Sequence, residues 1–313
     1  MDLTWLLVEQ ILSMVLMAAA GFVLGKKRLV TGEQSRVLSC FCVYLVVPCS
    51  MINAFAGTSG GDKLTGLAIG LVCSAAVFLL HYLVNFALSK VKNGLTREEQ
   101  SSTIFTNAGN LIIPMVHNIL GAEYVIYNSP YMLIQNILMW TYGQKLMGGQ
   151  QKFDIKKTVL HPAIMGIEIG FLLFICKIRL PGFVEYAISG LSSCIAPISM
   201  VVTGILMSEL DLKEILASKR VYMVVGVRLL LMPLLCIPML MLFNRILLHG
   251  ETAKILTVCL LSAIGPTAST VVQQASLYKN PHASYVSSIN VLSTICCAIT
   301  MPLMNAIFQF LIK

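Results

Sequence analysis

Charged residues are scarce in this sequence. Asp, Glu, Lys and Arg make up 12% of its 313 residues, whereas a typical soluble domain carries about 25%. Hydrophobic residues make up 57%, and the mean hydropathy is +0.82. So few charges exclude an ordinary water-exposed surface. Because a transmembrane helix needs about 20 mainly apolar residues, the chain has room for about ten crossings, with no segment left for a soluble domain of roughly 50 residues.

Motifs of enzymes and pumps are also missing. The sequence has no P-loop and none of the Ser/His, paired-Asp or metal motifs that an intramembrane hydrolase needs. The ten cysteines are scattered through apolar segments rather than grouped at ligand spacings. His81, His117 and His161 each stand alone. We therefore expect no enzymatic activity, no cofactor and no metal site.

Apolar runs separated by polar or basic residues predict ten transmembrane helices. The first run, Trp5 to Leu24, has no basic residue before it, so we expect a retained helix rather than a cleaved signal peptide. The predicted helices span 5–25, 35–56, 64–89, 101–121, 124–147, 158–176, 183–208, 219–248, 254–278 and 283–312.

The positions of Lys and Arg predict how the helices are oriented. If the N-terminus is outside, 15 of the 22 basic residues fall on the cytoplasmic side and 6 on the other, as the positive-inside rule requires. We therefore expect a multi-pass protein of the cell (inner or plasma) membrane with both termini outside. The net charge of +8 is spread over five loops, so we expect no nucleic-acid partner.

Ten helices divide into two halves of five, residues 1–150 and 151–313. Because each half has an odd number of helices, the second half enters the membrane from the opposite side, as in an inverted repeat. Val46–Met51 in the second predicted helix resembles Ile195–Met200 in the seventh, and each segment contains one proline. Proline is common in membrane helices, so this pair alone leaves the repeat open.

The fourth and ninth predicted helices are interrupted at corresponding positions of the two halves. Thr106–Pro114 and Ile264–Gln274 combine Gly and Pro with Asn, Ser, Thr or Gln. Gly and Pro weaken the helical hydrogen bonds, which is tolerated at membrane depth only where protein or water satisfies the backbone. Paired interruptions of this kind indicate a midplane binding site in transporters.

The two interruptions predict a site for an anion. A broken helix presents free N–H groups and the positive end of its dipole, which attract negative charge. Neutral polar side chains nearby can orient a carboxylate. The alternative is that these small and polar residues only hold helices together. The candidate substrate-binding residues are Asn107, Gly109, Asn110, Pro114, Gly265, Pro266, Thr267, Ser269, Thr270 and Gln273.

The order and spacing of these segments resemble the auxin efflux carrier (PIN-like) family. Thr103–Pro114 is similar to the fourth-helix motif of that family, in which Asn-x-Gly-x leads to a proline, and Gly265–Ala268 resembles its proline-centred break in helix nine. The similar segments span almost the whole chain. The others are Leu45–Met51, His161-Pro162, Arg228–Pro233 and Leu292–Pro302.

The resemblance implies a fold and an activity. The implied fold is all-α and integral to the membrane, with ten transmembrane helices as two inverted five-helix repeats and broken, crossing helices four and nine. The implied activity is export or exchange of small organic acids by elevator-like alternating access, with a homodimer formed through the scaffold part. Bacterial members are associated with dicarboxylates such as malate or malonate, and plant members with auxin. Only about a dozen residues follow predicted helix five, so this chain is similar to the short prokaryotic type.

Two charged residues lie within predicted helices at a similar depth, Glu168 in the sixth and Arg228 in the eighth. A charge at the bilayer centre costs at least about 2.5–3.5 kcal/mol, so each needs a partner or water. Three interpretations are open: an ion pair between them, an Arg that attracts anionic substrate, or a Glu that carries a coupling proton. Arg228 matches a position that is often basic in the resembled family, whereas Glu168 departs from its pattern.

The leading hypothesis is a carrier of a small organic anion across a lipid bilayer. One alternative is a sodium-coupled organic-anion symporter of the bile-acid type, whose cation sites use acidic or polar side chains. Both interrupted segments lack Asp and Glu, which weakens this alternative. A second alternative is a non-transporting membrane sensor, because one fold can serve several functions. A channel is disfavoured because the polar residues concentrate at the two interruptions.

Overall fold

The computed structural model describes residues 3–55, 61–148, 160, 162–209, 218–247 and 250–312. Helices joined by turns make up this part of the chain, and its one extended pairing is an isolated bridge between Thr106 and Thr267. Five described helices are long and apolar enough to cross a membrane. They are Gly32–Asn53, Lys63–Lys90, Gly182–Glu209, Lys219–Ile246 and Ala283–Ile312.

The described helices form ten successive runs, which we label α1 to α10. The start of the sixth predicted helix at 158 and the predicted boundary between the halves at 150/151 lie outside the described residues. The bounds are Leu3–Lys26 (α1), Gly32–Phe41 and Val47–Phe55 (α2), Gly61–Lys90 (α3), Arg97–Ile104 (α4a), Ala108–Ile112 and Ile113–Ile119 (α4b), Ser129–Leu138 and Gln144–Leu146 (α5, after a 3₁₀ turn at Ala122–Asn128), Pro162–Ile175 (α6), Gly182–Ser193 and Ile195–Glu209 (α7), Lys219–Gly226 and Met232–Ile246 (α8), Thr252–Ile264 (α9a), Ser269–Leu277 (α9b) and Ala283–Ile312 (α10).

Capping boxes start two helices earlier than the hydrophobic pattern predicts. The Thr96 hydroxyl accepts a hydrogen bond from the backbone N–H of Glu99, and the Glu99 carboxylate accepts one from that of Thr96. Thr31 and Gln34 make the same reciprocal pair before α2. A capping box satisfies backbone donors that a helix start leaves free, so α4a begins at Arg97 and α2 at Gly32.

Three π-helical turns precede prolines. A proline has no N–H for the carbonyl four residues earlier, and its ring crowds that carbonyl. Each turn contains that carbonyl and ends two residues before its proline, so the wider turn accommodates the missing hydrogen bond. The pairs are Cys42–Val46 with Pro48, Ala108–Ile112 with Pro114, and Val227–Leu231 with Pro233. A fourth π turn, Met139–Gly143, has no such proline.

The helices pack into two groups. In the four-helix group, α1 runs along α7, while α6 and the first part of α7 run along the second part of α2. In the six-helix group, α3 packs against α5 and α9a, and α8 packs against α9a and α10. The groups meet where α1 contacts α10 and α4b, and where α6 contacts α5. The two interrupted helices therefore lie inside the six-helix group, with α4b at its boundary.

Glycines let helix backbones touch inside the four-helix group. A Cβ at Gly204 would lie 1.9 Å from the carbonyl oxygen of Ala18, and one at Gly21 would lie 2.1 Å from that of Val201. Likewise, a Cβ at Gly166 of α6 would lie 2.7 Å from the Cα of Pro48 in α2. Small residues of this kind allow close packing of membrane helices, where van der Waals contact replaces the hydrophobic effect.

Polar clusters lie at opposite ends of α8. At its start, Arg220 donates to the Glu99 carboxylate (Nε to Oε1, 2.7 Å), which also accepts from the Tyr285 hydroxyl at 2.6 Å. Just beyond its end, the Glu251 carboxylate accepts from the Tyr124 hydroxyl at 2.8 Å. These contacts join α4a to α8 and α10 at one end, and the turn before α5 to the start of α9a at the other.

We expect Gly204→Ala to lower the free energy of unfolding by about 1–3 kcal/mol, because the added methyl group overlaps a backbone carbonyl that cannot rotate away. The matched control is Gly226→Ala in α8, where a Cβ would meet no heavy atom within 4 Å. Thermal unfolding of the purified variants in detergent measures both. Equal midpoints for the two variants would contradict the close approach of α1 and α7.

Candidate functional site

The two interruptions are hydrogen-bonded to each other. The backbone N–H of Asn107 donates to the carbonyl of Pro266 at 2.9 Å, and that of Ala268 donates to the carbonyl of Phe105 at 3.0 Å. These bonds frame an antiparallel bridge between Thr106 and Thr267. The ends of α4a and α9a and the starts of α4b and α9b therefore meet at one buried place.

Different causes break the two helices. In α9, Pro266 cannot donate to the helical ladder and holds the residue before it extended, with Gly265 at φ −58° and ψ 163°. In α4 there is no proline at the break itself, and Asn107 at φ −80° and ψ 49° precedes α4b. Pro114 lies further along, just after the π turn. The α4 break depends on its partners from other helices.

Side chains of α5 and α10 bind the backbone of the two extended bridge residues, Thr106 and Thr267. The Gln135 amide donates to the Thr106 carbonyl at 2.9 Å and accepts from the Thr106 N–H at 3.1 Å. In the other half, the Asn290 amide donates to the Thr267 carbonyl at 2.7 Å, and the Ser293 hydroxyl accepts from the Thr267 N–H at 3.2 Å. Both backbone polar groups of each extended residue are thus satisfied.

These holding residues were missed by the sequence analysis. Gln135, Asn290 and Ser293 are buried, at 5%, 7% and 0% exposure. Each is a polar residue inside a long apolar run, and a buried polar side chain in a membrane protein needs a partner. That signal identifies them as contact residues, but it does not say which backbone groups they contact.

Arg228 joins the carboxyl ends of α4a and α9a. Its side chain is fully buried. Nε donates to the Gly265 carbonyl at 3.0 Å, Nη1 to that of Thr103 at 3.0 Å, and Nη2 to those of Ala263 at 2.6 Å and Gly265 at 2.8 Å. One guanidinium therefore donates four hydrogen bonds to three carbonyl oxygens, one in α4a and two at the end of α9a.

The interruptions explain why these carbonyls need a donor. A continuous helix would give the Asn107 N–H to the Thr103 carbonyl and the Thr267 N–H to the Ala263 carbonyl. At the breaks, the Asn107 N–H instead donates to Pro266, and the Thr267 N–H to Ser293. Arg228 supplies the two hydrogen bonds that the breaks remove.

The structure excludes one of the three open interpretations, an ion pair between Glu168 and Arg228. Glu168 is exposed on α6, in the four-helix group, whereas Arg228 is fully buried in the six-helix group. Among the described residues, the ion pair within 4 Å joins Arg220 to Glu99 and does not involve Glu168. Carboxyl ends of helices carry partial negative charge, and these ends, rather than a carboxylate, surround the guanidinium.

The structure divides seven of the ten predicted site residues into two sets, and an eighth, Pro114, lies apart from both near the start of Ile113–Ile119. Gly265, Pro266 and Thr267 hold the interruption together, since their carbonyls accept the hydrogen bonds above and the Thr267 hydroxyl donates to Ser102 at 2.9 Å. Within the described part of the chain, the side chains of Asn107, Ser269 and Thr270 make no hydrogen bond. These three, with Gly109, lie at the starts of α4b and α9b. The side chains of Asn110 and Gln273 lie outside the described residues.

An apolar cavity of about 240 Å³ lies between the two helix groups, beside the start of α4b. Leu111, in the first turn of α4b, forms part of its wall, and the rest comes from α1, α7 and α10 through residues such as Ala18, Met200 and Ile295. Across the described residues, no group of three or more His, Cys, Asp or Glu is placed to hold a metal ion.

We expect Gln135→Leu to destabilise the protein, because the N–H and C=O of Thr106 lose their partner, and each buried orphan costs about 1–3 kcal/mol. Asn290→Leu should act similarly through Thr267. The control is Asn136→Leu, since the Asn136 amide donates to the Met132 carbonyl of its own helix at 2.8 Å. Thermal midpoints decide: if Gln135→Leu and Asn136→Leu unfold at one temperature, the holding role of Gln135 is refuted.

Comparison with known families agrees with this geometry. A family model described as membrane transport protein matches residues 6–156 and 150–305, which together cover nearly the whole chain. The search of curated proteins found no match to this chain. The apolar helices and the family match together indicate a multi-pass membrane transporter, not an enzyme. The chain therefore belongs to the auxin efflux carrier family of membrane transport proteins, as its sequence motifs predict.

Proposed function

We propose that this transporter is a secondary carrier, an exporter or exchanger, of a small organic anion. The anion's carboxylate binds where α4b and α9b begin. The observation that carries the proposal is the hydrogen-bonded contact between the two interruptions, which places both helix starts at one buried position. Backbone N–H groups at a helix start, together with the helix dipole, attract anions.

The charges where the two interruptions meet support an anionic substrate. Each helix end carries about half an elementary charge, positive at the start and negative at the end. The negative ends of α4a and α9a are compensated by the buried guanidinium of Arg228. The positive starts of α4b and α9b have no carboxylate in the interrupted segments to balance them. Together they match one carboxylate of a bound substrate.

The surrounding side chains suit an organic acid. Asn107, Ser269 and Thr270 offer one amide and two hydroxyl groups that are not used by the described protein contacts, and such groups orient a carboxylate without adding charge. The apolar cavity beside Leu111 offers room for the carbon skeleton. An inorganic anion would gain nothing from an apolar wall.

An inverted repeat and an elevator-like movement belong to the same proposal. In an inverted repeat, each helix of the first half corresponds to the helix five places later, so α1 corresponds to α6 and α2 to α7. Under this correspondence the α1–α7 contact is equivalent to the α6–α2 contact. Likewise, the contact of Gln135 in α5 with α4 is equivalent to the contact of Asn290 in α10 with α9. A six-helix group held together by such contacts can move as one body along the four-helix group, exposing its site alternately to each side. The outside location of both termini and the homodimer remain predictions.

The direct test is counterflow and uptake in liposomes that contain the purified protein. Labelled malate, malonate, succinate and indole-3-acetate are supplied with and without proton or sodium gradients. Counterflow of one acid supports the proposal, and the effect of each gradient identifies the coupling. Tight binding of an acid without flux would contradict a carrier and indicate a sensor.

We expect Asn107→Ala and Ser269→Ala each to weaken binding of the transported acid about tenfold or more, because each removes a hydrogen bond to a charged group. Asn136→Ala and Ser288→Ala are the matched controls, since their side chains donate to carbonyls of their own helices. The concentration dependence of counterflow measures the effect. Parental affinity in both site variants would exclude these side chains from the site.

A further inference from the structure

Three backbone carbonyl oxygens, those of Thr103, Ala263 and Gly265, surround the guanidinium of Arg228 at 2.6–3.0 Å; we call them the carbonyl cradle. We propose that Arg228 is the resident cation of this cradle and a positioning residue for transport. By holding the ends of α4a and α9a together, it sets where α4b and α9b begin. The inference rests on the proposed function only in the claim that this position matters for substrate binding.

The cradle needs positive charge, not merely a side chain that fills space. Three carbonyl oxygens converge on one point, and the negative ends of two helix dipoles lie there as well. Without a cation these groups repel one another, and buried carbonyls that lack a donor are costly. The breaks have already redirected the N–H groups of Asn107 and Thr267 that would serve two of them.

The position of Arg228 in its own helix serves this contact. It lies in the π turn Val227–Leu231 of α8, whose wider backbone precedes Pro233. Such turns commonly place functional side chains. The planar guanidinium directs several N–H groups in fixed directions, and here they reach oxygens on two separate helices. A lysine ammonium is a compact charge on a flexible stem and cannot span the cradle in the same way.

Emptying the cradle should create a binding site for a free cation. In Arg228→Gly, the oxygens of Thr103, Ala263 and Gly265 keep their partial charges but lose their donor. Guanidinium ion matches the lost group in shape, charge and hydrogen bonding, whereas tetramethylammonium has the same charge but no N–H group. The two ions therefore separate occupation of the cradle from a general effect of salt.

The experiment measures thermal unfolding of the purified parent, Arg228→Gly and Arg245→Gly, with either ion at millimolar concentration. Arg245 is an exposed residue near the end of α8 and serves as the matched control. We expect a lower midpoint for Arg228→Gly, raised in a saturable manner by guanidinium but not by tetramethylammonium. The parent and Arg245→Gly should show no such rise. Absence of a specific rise in a folded Arg228→Gly protein overturns the proposal.

Two further variants decide the question if Arg228→Gly does not fold. Arg228→Met keeps most of the side-chain volume and removes the charge, while Arg228→Lys keeps the charge and changes the geometry. We expect a higher midpoint for Arg228→Lys than for Arg228→Met. The opposite order, or equal midpoints, indicates that packing alone explains Arg228.

Counterflow tests the positioning role of Arg228 separately from its effect on stability. Counterflow by Arg228→Gly should be roughly tenfold or more slower than by the parent, since several hydrogen bonds to a charged group are lost, and guanidinium should restore part of it. Stability restored by guanidinium without any recovery of counterflow refutes the positioning role. If the parent itself carries no acid, the proposed function fails, while the midpoints still test whether Arg228 is the cradle's cation.

Discussion

In a membrane interior, a backbone N–H or C=O group without a partner costs several kcal/mol, because no water is present to replace the missing hydrogen bond. The interrupted helices of this transporter break the helical ladder at buried residues, so every backbone group that they release needs a donor or acceptor from elsewhere. The two breaks pair with each other through Asn107, Pro266, Phe105 and Ala268. Arg228 donates hydrogen bonds to the carbonyls of Thr103 and Ala263, which lose their helical donors at the breaks.

This requirement separates structural residues from candidate ligand residues. Thr106 and Thr267 form the bridge between the two interruptions, but their backbone groups accept from or donate to the side chains of Gln135, Asn290 and Ser293. Asn107 lies beside them, and its side chain makes no hydrogen bond to the described residues. The two bridge residues therefore maintain the contact between the interruptions, and a neighbouring residue at a helix start is better placed to bind the proposed substrate.

The packing of the two helix groups is compatible with the proposed elevator-like movement. Glycine contacts bring α1 against α7 and α6 against α2, which makes the four-helix group compact. Hydrogen bonds from α5, α8 and α10 to the interruptions tie the six-helix group together. The apolar cavity lies where the groups meet. Apolar surfaces can slide past each other without breaking hydrogen bonds, which suits the proposed elevator-like movement.

Much of the helix arrangement follows from the sequence, because a membrane-spanning helix satisfies its own backbone within one segment. Composition and apolar runs therefore predict the all-helical fold, and α10 has the predicted bounds, 283–312. Gly265 and Pro266 likewise predict the interruption of α9, because a proline acts locally on the backbone, whereas the interruption of α4 at Asn107 depends on partners from other helices.

The partners of the released backbone groups depend on tertiary structure. Similar depth along two helices leaves a pair between Glu168 and Arg228 open, but depth does not specify which helix faces which. Arg228 faces two helix ends, while Glu168 lies exposed in the other group. Hydrogen bonds such as Gln135 to Thr106 join residues far apart in the chain. Only the folded arrangement brings them together, because the identity of a polar residue shows that it needs a partner but not which partner it finds.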